Sequence, residues 1–315
     1  MIKSKNFRLT AIALFCASSL AIAASVQKPA VAVAHATQAP ILAAASAGKR
    51  MVALGDHGIV LLSDDGGKTF RQAKTVPTQA LLTSLSFIDE KQGWAAGHDG
   101  VILHIVDGGE TWTLQREDLD GDKPLFGVHF NDAQNGFAVG LFGNAQQTSD
   151  GGKSWTQLIV ETGDEPDHHL YGIFGDASSA LYIAGEAGMI YRSADRGATW
   201  TTIKTSNAGS FWAGTQLKDG SLIAVGQRGH IFSSADQGTT WTEVPSGTQQ
   251  SLTNVVQLAN GNIVVVGLAG TTLLSSDGGK TFTLHERADR VPLTAAIGGN
   301  DSALLFGGNG VVANP

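Results

Sequence analysis

The sequence predicts an all-β fold, a seven-bladed β-propeller of four-stranded antiparallel blades, and three observations carry that reading. One phrase recurs six times: ALGDHGIVLLSDDGGKTF at 53–70, AAGHDGVILHIVDGGETW at 95–112, AVGLFGNAQQTSDGGKSW at 138–155, IAGEAGMIYRSADRGATW at 183–200, AVGQRGHIFSSADQGTTW at 224–241 and VVGLAGTTLLSSDGGKTF at 265–282. Its closing aromatics, Phe70, Trp112, Trp155, Trp200, Trp241 and Phe282, stand 42, 43, 45, 41 and 41 residues apart. A fixed period of about 40–45 residues with strand-like content marks propeller blades. The third observation is composition: 40 glycines in 315 residues, with 42% hydrophobic and only 16% charged side chains. Glycine supplies positive φ in tight turns, so this is a core-forming chain of many short elements.

The elements follow in chain order. Lys3, Lys5 and Arg8, an apolar run over 9–20 and the small-x-small triplet Ala21-Ile22-Ala23 read as a secretory signal over residues 1–24. The apolar run falls short of the roughly 20 residues a membrane span needs. The single cysteine, Cys16, follows Phe15 rather than a small residue, so a lipid anchor is not expected. Residues 25–315 read as one propeller domain, with blades near 39–74, 80–117, 123–160, 168–205, 209–246, 250–287 and 291–315. In the second blade the pieces LLTSLSFID, GWAAG, GVILHIVD and TWTLQRE are strand-length, rich in β-branched and aromatic residues, and bounded by turn formers. The last repeat, VPLTAAIGGNDSALLFGGNGVVANP, supplies only three strands. The segment PAVAVAHA at 29–36 is expected to add the outer fourth strand and close the ring, since an unpaired edge is costly.

Between the third and fourth strands lies a Ser-x-Asp-x-Gly-x-Thr-aromatic turn, the Asp box, built around Asp65, Asp107, Asp150, Asp195, Asp236 and Asp277. The carboxylate is expected to accept turn N–H groups, the glycine to take positive φ, and the aromatic to pack between blades. Because all six obey the repeat, they are read as turn locks rather than as catalytic or calcium-binding acids.

Asp boxes of this kind, also called BNR repeats, are shared by sialidases, other glycoside hydrolases and non-catalytic propellers. The phrasing GWAAG followed by GVILHIVDGGETW, repeated best at 93–112, 136–155 and 265–282, resembles the photosystem II stability and assembly factor family. The resemblance covers residues 40–315 and implies a seven-bladed lumenal propeller that helps assemble a membrane protein complex. In non-photosynthetic bacteria it implies an exported protein that accompanies membrane transporters. The chain departs from the photosynthetic pattern in lacking a lipobox and a clear arginine patch.

A sialidase would need three arginines converging on a carboxylate, which exploits their bidentate geometry. Here Arg50, Arg71, Arg116, Arg192, Arg196, Arg228, Arg287 and Arg290 fall mostly in turns or on outer strands, and the Phe-Arg-Ile-Pro entry signature is missing. Acids of the inner strands sit at strand ends, where turns explain them, rather than as a carboxylate pair. No catalytic residue, cofactor or resident metal is assigned. A carbohydrate-active propeller is the alternative reading. Removal of the signal takes the formal net charge from −7 to −10, and the chain has no basic cluster, so nucleic acid is not an expected partner. No segment after the signal is long and apolar enough to cross a membrane; the expected partner is a protein, from a membrane complex or transporter, and the expected location is periplasmic or lumenal.

Function is sought on the face that carries the turns between strands two and three and the links between blades, because that face breaks the repeat. Candidate binding residues there are Asp56, His57, His98, Asp99, Leu141, Phe142, Asp164, Asp167, His168, His169 and Arg228. A solvated acidic rim, a docking surface for a basic or polar partner, and a metal site using His57, His98, His168 or His169 all remain open. Leu141 and Phe142 are candidates for an apolar contact patch. When the full chain is expressed in a bacterial host, intact-mass analysis of cell fractions is expected to find it in the periplasm, cut near Ala23. An uncut cytoplasmic chain would contradict the signal.

Overall fold

Burial follows the position of each strand within its repeat. Second strands are buried on both sides, as in Gly93–Gly97 and Leu222–Gly226. This happens because each sheet lies between two others, so glycine, alanine and β-branched residues fill both faces. Inner strands such as Phe211–Gln216 are half-buried beside the central channel, and outer strands such as Thr113–Arg116 reach solvent. The computed structural model describes residues 27–119, 121, 123–161, 167–176, 178–299 and 301–312. The signal over 1–24 and Asp164 therefore lie outside the described residues.

Seven antiparallel sheets form the ring, each in plain chain order from the inner strand outward, so the fold is the expected all-β propeller. Among the described residues six sheets have four strands and the seventh has three, Leu293–Gly298, Ala303–Gly307 and Gly310–Val312. Each inner strand carries a bulge at its second residue, for example between Leu82 and Ser84 and between Phe211 and Ala213. A bulge turns one extra side chain out of the ladder, here toward the channel.

The expected closing strand at 29–36 is not there. The described part of that segment runs without regular structure along the outside of the first blade. Ala30 N–H donates to Val76 O at 2.9 Å, Val33 N–H to Gln72 Oε1 at 3.0 Å, and Gln72 Nε2 to Val31 O at 3.0 Å. The reason is reach: other links between an outer strand and the next inner strand take at least six residues, as in 205–210 and 287–292, whereas a strand ending at 36 leaves only 37–40 before Ile41. A short turn at Ala36–Gln38 lies beside the third strand instead, with the Thr37 carbonyl against Gly310. The ring thus closes through packing rather than through a shared sheet. Ile41, Ala53 and Leu61 of the first blade meet Ala295, Ile297 and Phe306 of the last. Phe70 meets Phe306 edge-on at 5.9 Å, and Thr294 Oγ1 donates to the Ile41 carbonyl.

The Asp boxes do what their repetition suggested. In the fourth blade Ser193 Oγ donates to Asp195 Oδ1 at 2.8 Å, Thr199 N–H donates to the same oxygen at 2.9 Å, and Thr199 Oγ1 donates to Oδ2 at 2.5 Å. Gly197, at φ 93°, donates its N–H back to Ser193 Oγ at 2.8 Å. The same net surrounds Asp65, Asp150, Asp236 and Asp277. Asp107 is the exception: Ile105 replaces the hydroxyl residue, and only the N–H groups of Glu110 and Thr111 bond the carboxylate. The closing aromatics bury against the preceding blade. Trp200 meets Phe137 and Trp241 meets Tyr182, both edge-on. Between the first two blades, Arg50 adds a clamp to Asp64 at 2.5 Å and Glu110 at 3.2 Å.

The hydroxyl and N–H donors, side-chain hydroxyl first, hold the Asp195 carboxyl at a pKa of about 2. Loss of that net in Asp195→Ala is expected to lower Tm by about 2–4 °C, the shift for about 1 kcal/mol in a chain of this size. An unchanged Tm contradicts the turn-lock role. Carboxylates held near 2 stabilise the fold above the unfolded value near 4, and that contribution is lost as pH falls through the folded value. Tm should therefore be steady from pH 7 to about 5 and fall between about 4 and 2. A curve that breaks near 6 would point to histidine instead.

Candidate binding site at the channel mouth

On the face opposite the Asp boxes, the turn between strands two and three in each of the first six blades is a Gly-x-x-Gly step whose third residue sits in the left-handed region. These residues are His57, Asp99, Phe142, Ala187, Arg228 and Ala269, with φ between 52 and 56°. Non-glycine residues rarely adopt that conformation. Here backbone bonds to the neighbouring link enforce it: Gly58 N–H reaches Ala80 O at 3.1 Å, and Gly143 N–H reaches His168 O at 3.0 Å. The consequence is an arc of side chains held up at the rim, running histidine, aspartate, phenylalanine, alanine, arginine and alanine through the first six blades.

The candidate residues separate into two groups. In the first blade Asp56 and His57 pair with each other at 2.9 Å, and in the second Asp99 accepts from Gln27 Nε2 at 3.1 Å, with His98 half-buried beside it. Arg228 stands exposed in the fifth blade. These do not converge. In the third and fourth blades they do: Phe142, 61% exposed, donates its N–H to His169 Nδ1 at 3.2 Å and meets that ring edge-on at 4.9 Å. Leu141 is half-buried next to it, Asp167 is exposed, and His168 Nδ1 lies 3.0 Å from Glu161. Among the described residues, no three His, Cys, Asp or Glu side chains come together to hold a metal ion.

From Phe142 and His169 the aromatic contacts continue inward. His169 meets Tyr171 at 6.1 Å, Tyr171 stacks on Phe126 at 5.8 Å with an 11° interplanar angle, and Tyr171 meets Trp212 at 6.5 Å and 54°. Phe126, Tyr171 and Trp212 are the bulge residues of the third, fourth and fifth inner strands, and they line the channel together with Leu42, Thr83, Thr253 and Thr294, the bulge residues of the other four. Threonine at this position ties blades together: Thr83 Oγ1 donates to Leu125 O at 2.7 Å and Thr253 Oγ1 to Leu293 O at 2.8 Å. Three consecutive blades give up that tie for an aromatic ring. Burial, with a lesser push from the Glu186 carboxylate, raises the Tyr171 phenol above its ordinary pKa.

Phe126, Tyr171 and Trp212 escaped the sequence reading, which looked for function in loops. The signal was present in the repeat: aligned to Thr83, Thr253 and Thr294, these three positions depart from the pattern. None of the arginines at 50, 71, 116, 192, 196, 228, 287 and 290 lies on an inner strand.

A family model described as photosynthesis system II assembly factor YCF48 matches residues 72–256, more than half of the chain. The chain belongs to this family. Solved structures of the same fold include a YCF48 bound to a D1 peptide, at 18% identity and TM-score 0.69, with 92% of this chain and 100% of that one covered. YCF48 from Cyanidioschyzon merolae aligns at 17% identity and TM-score 0.65, covering 91% of this chain and 97% of that one. The WD40 propeller domain of Doa1 aligns nearly as well, at 13% identity and TM-score 0.67, covering 90% and 94%, so these likenesses carry the fold alone. No curated protein matches the sequence.

If the aromatic arc serves binding rather than the fold, replacing one ring by the repeat's own residue should be tolerated. Trp212→Thr is expected to keep Tm within about 3 °C of the parent, because the new hydroxyl can tie to the neighbouring blade. A drop of more than about 5 °C would assign Trp212 to the core.

Proposed function

We propose that this chain is a non-catalytic, exported propeller that binds a protein partner, serving as a scaffold or assembly factor for a membrane protein complex. Family membership supports an assembly-factor-like role, and a solved family member is described as bound to a D1 peptide. The observation that carries the reading within this chain is the break in symmetry at the open face, where exposed Phe142 joins His169, Tyr171, Phe126 and Trp212 in one continuous aromatic surface. Exposed aromatics on a rigid ring are the common anchors of protein interfaces, since they bury much area at little entropic cost. A partner docking there would sit at a blade-loop surface that the Asp boxes, on the far side, leave free.

The test is affinity purification of the tagged chain from detergent-solubilised membranes, with identification of what is retained. The parent is expected to recover a membrane protein complex at least tenfold over Phe142→Asp. Equal recovery by both, or hydrolysis of a glycan panel at an ordinary enzymic rate of about 1 s⁻¹ or more, would contradict the proposal.

A further inference from the structure

We infer that the channel mouth is a receptor for a single arginine side chain presented by an extended segment of the partner protein. The inference rests on the protein-binding reading above and adds the chemistry that the partner brings. Four observations lead to it.

The first is size. The cavity touched by all seven blades measures about 190 Å³, below the roughly 300 Å³ at which small-molecule sites begin. It suits one long side chain whose backbone stays at the rim. The second is the wall. Phe126, Tyr171 and Trp212 form an arc over three blades, with Tyr171 in contact with both neighbours. Planar guanidinium groups stack on such rings and are attracted by their electron-rich faces.

The third is charge. Glu186, in the turn above Tyr171, accepts the His169 N–H through Oε2 at 3.0 Å, and its side chain is 40% exposed at the rim. Its carboxylate acts electrostatically on the phenol of Tyr171, the middle ring of the arc. The inner strands carry no lysine or arginine to compete with an incoming cation. On the same face, Lys204 is engaged by donating its ammonium to the Ala187 carbonyl, and Arg228 stands exposed in the next turn.

The fourth is an acceptor without a donor. Asn254, in the channel wall next to bulge residue Thr253, has its Oδ1 buried with no hydrogen-bond partner. Buried polar atoms are nearly always paired, and this unpaired one belongs to a residue of the cavity wall. Arginine brings five N–H donors on a flat group, and lysine brings three on a point charge without a stacking face.

The probe is the peptide acetyl-Gly-Gly-Arg-Gly-Gly-amide, with its isosteric, uncharged citrulline counterpart, titrated into the purified chain. Indole and amide NMR shifts of Trp212 and its neighbours report occupancy, and thermal unfolding confirms that each variant is folded. The arginine peptide is expected to shift the Trp212 indole N–H with a millimolar or tighter Kd. The citrulline peptide and the Trp212→Thr variant should each bind at least tenfold more weakly, and Glu186→Gln about threefold more weakly. Arg71→Ala, on the Asp-box face, should bind as the parent does. Binding of the citrulline peptide equal to that of arginine, shifts that bypass the arc, or no shift at all would overturn the inference. If Trp212→Thr still recovers the membrane complex, the receptor fails while the scaffold reading stands. If the arginine peptide binds the arc but the parent recovers no complex, the scaffold reading fails alone.

Discussion

Each blade of this chain has two apolar faces and no means of covering either by itself. Second strands such as Gly93–Gly97 and Leu222–Gly226 are fully buried only because a neighbouring sheet lies on each side. That constraint sets the ring: seven units must stack until the last meets the first, or two apolar faces remain in water. Among the described residues the meeting is made without a strand shared between the chain's ends. The junction of the seventh and first blades relies on Ile41, Leu61, Ile297 and Phe306, with the Thr294 hydroxyl on the Ile41 carbonyl. Closure is therefore a matter of packing, of the same kind as every other contact in the circle.

Repetition also divides structure from function. The Asp boxes repeat because each solves the same local problem, holding a tight turn open for the aromatic that fills the gap to the preceding blade. Their carboxylates point into their own turns, not into the channel. The inner-strand bulges repeat as well, yet their side chains do not. Thr83, Thr253 and Thr294 tie their hydroxyls to the next blade's backbone, whereas Phe126, Tyr171 and Trp212 put rings there that crowd one side of the channel mouth.

The fold was legible because its signals are local and recur. Period, strand length and turn chemistry could be read from any one blade and checked in five more. The missing outer strand of the last blade was not legible. An apolar stretch such as PAVAVAHA looks the same whether it pairs with Gly310–Val312 or lies along the first blade, and the few residues left to reach Ile41 decide the matter. The candidate site was half legible. Phe142 and His169 stood out as departures in loops and are brought together, but Asp56, His57, His98 and Asp99 were placed on the same face and remain scattered around it. Tyr171 and Trp212 were hidden within strands, where an aromatic residue ordinarily signals core. Only the alignment of one blade on another exposes them, and a side chain's direction at a bulge is a property of the sheet rather than of the sequence window.

The most direct check on closure by packing is hydrogen exchange on Phe306→Ala. Phe306 is fully buried at the junction, and such a truncation costs about 3–5 kcal/mol in a core. If both ends of the chain depend on that contact, amides of the first blade, 41–63, should lose protection together with those of the last, 293–312. Loss confined to 293–312, with the first blade as protected as before, would show that the ring does not depend on the packing that closes it.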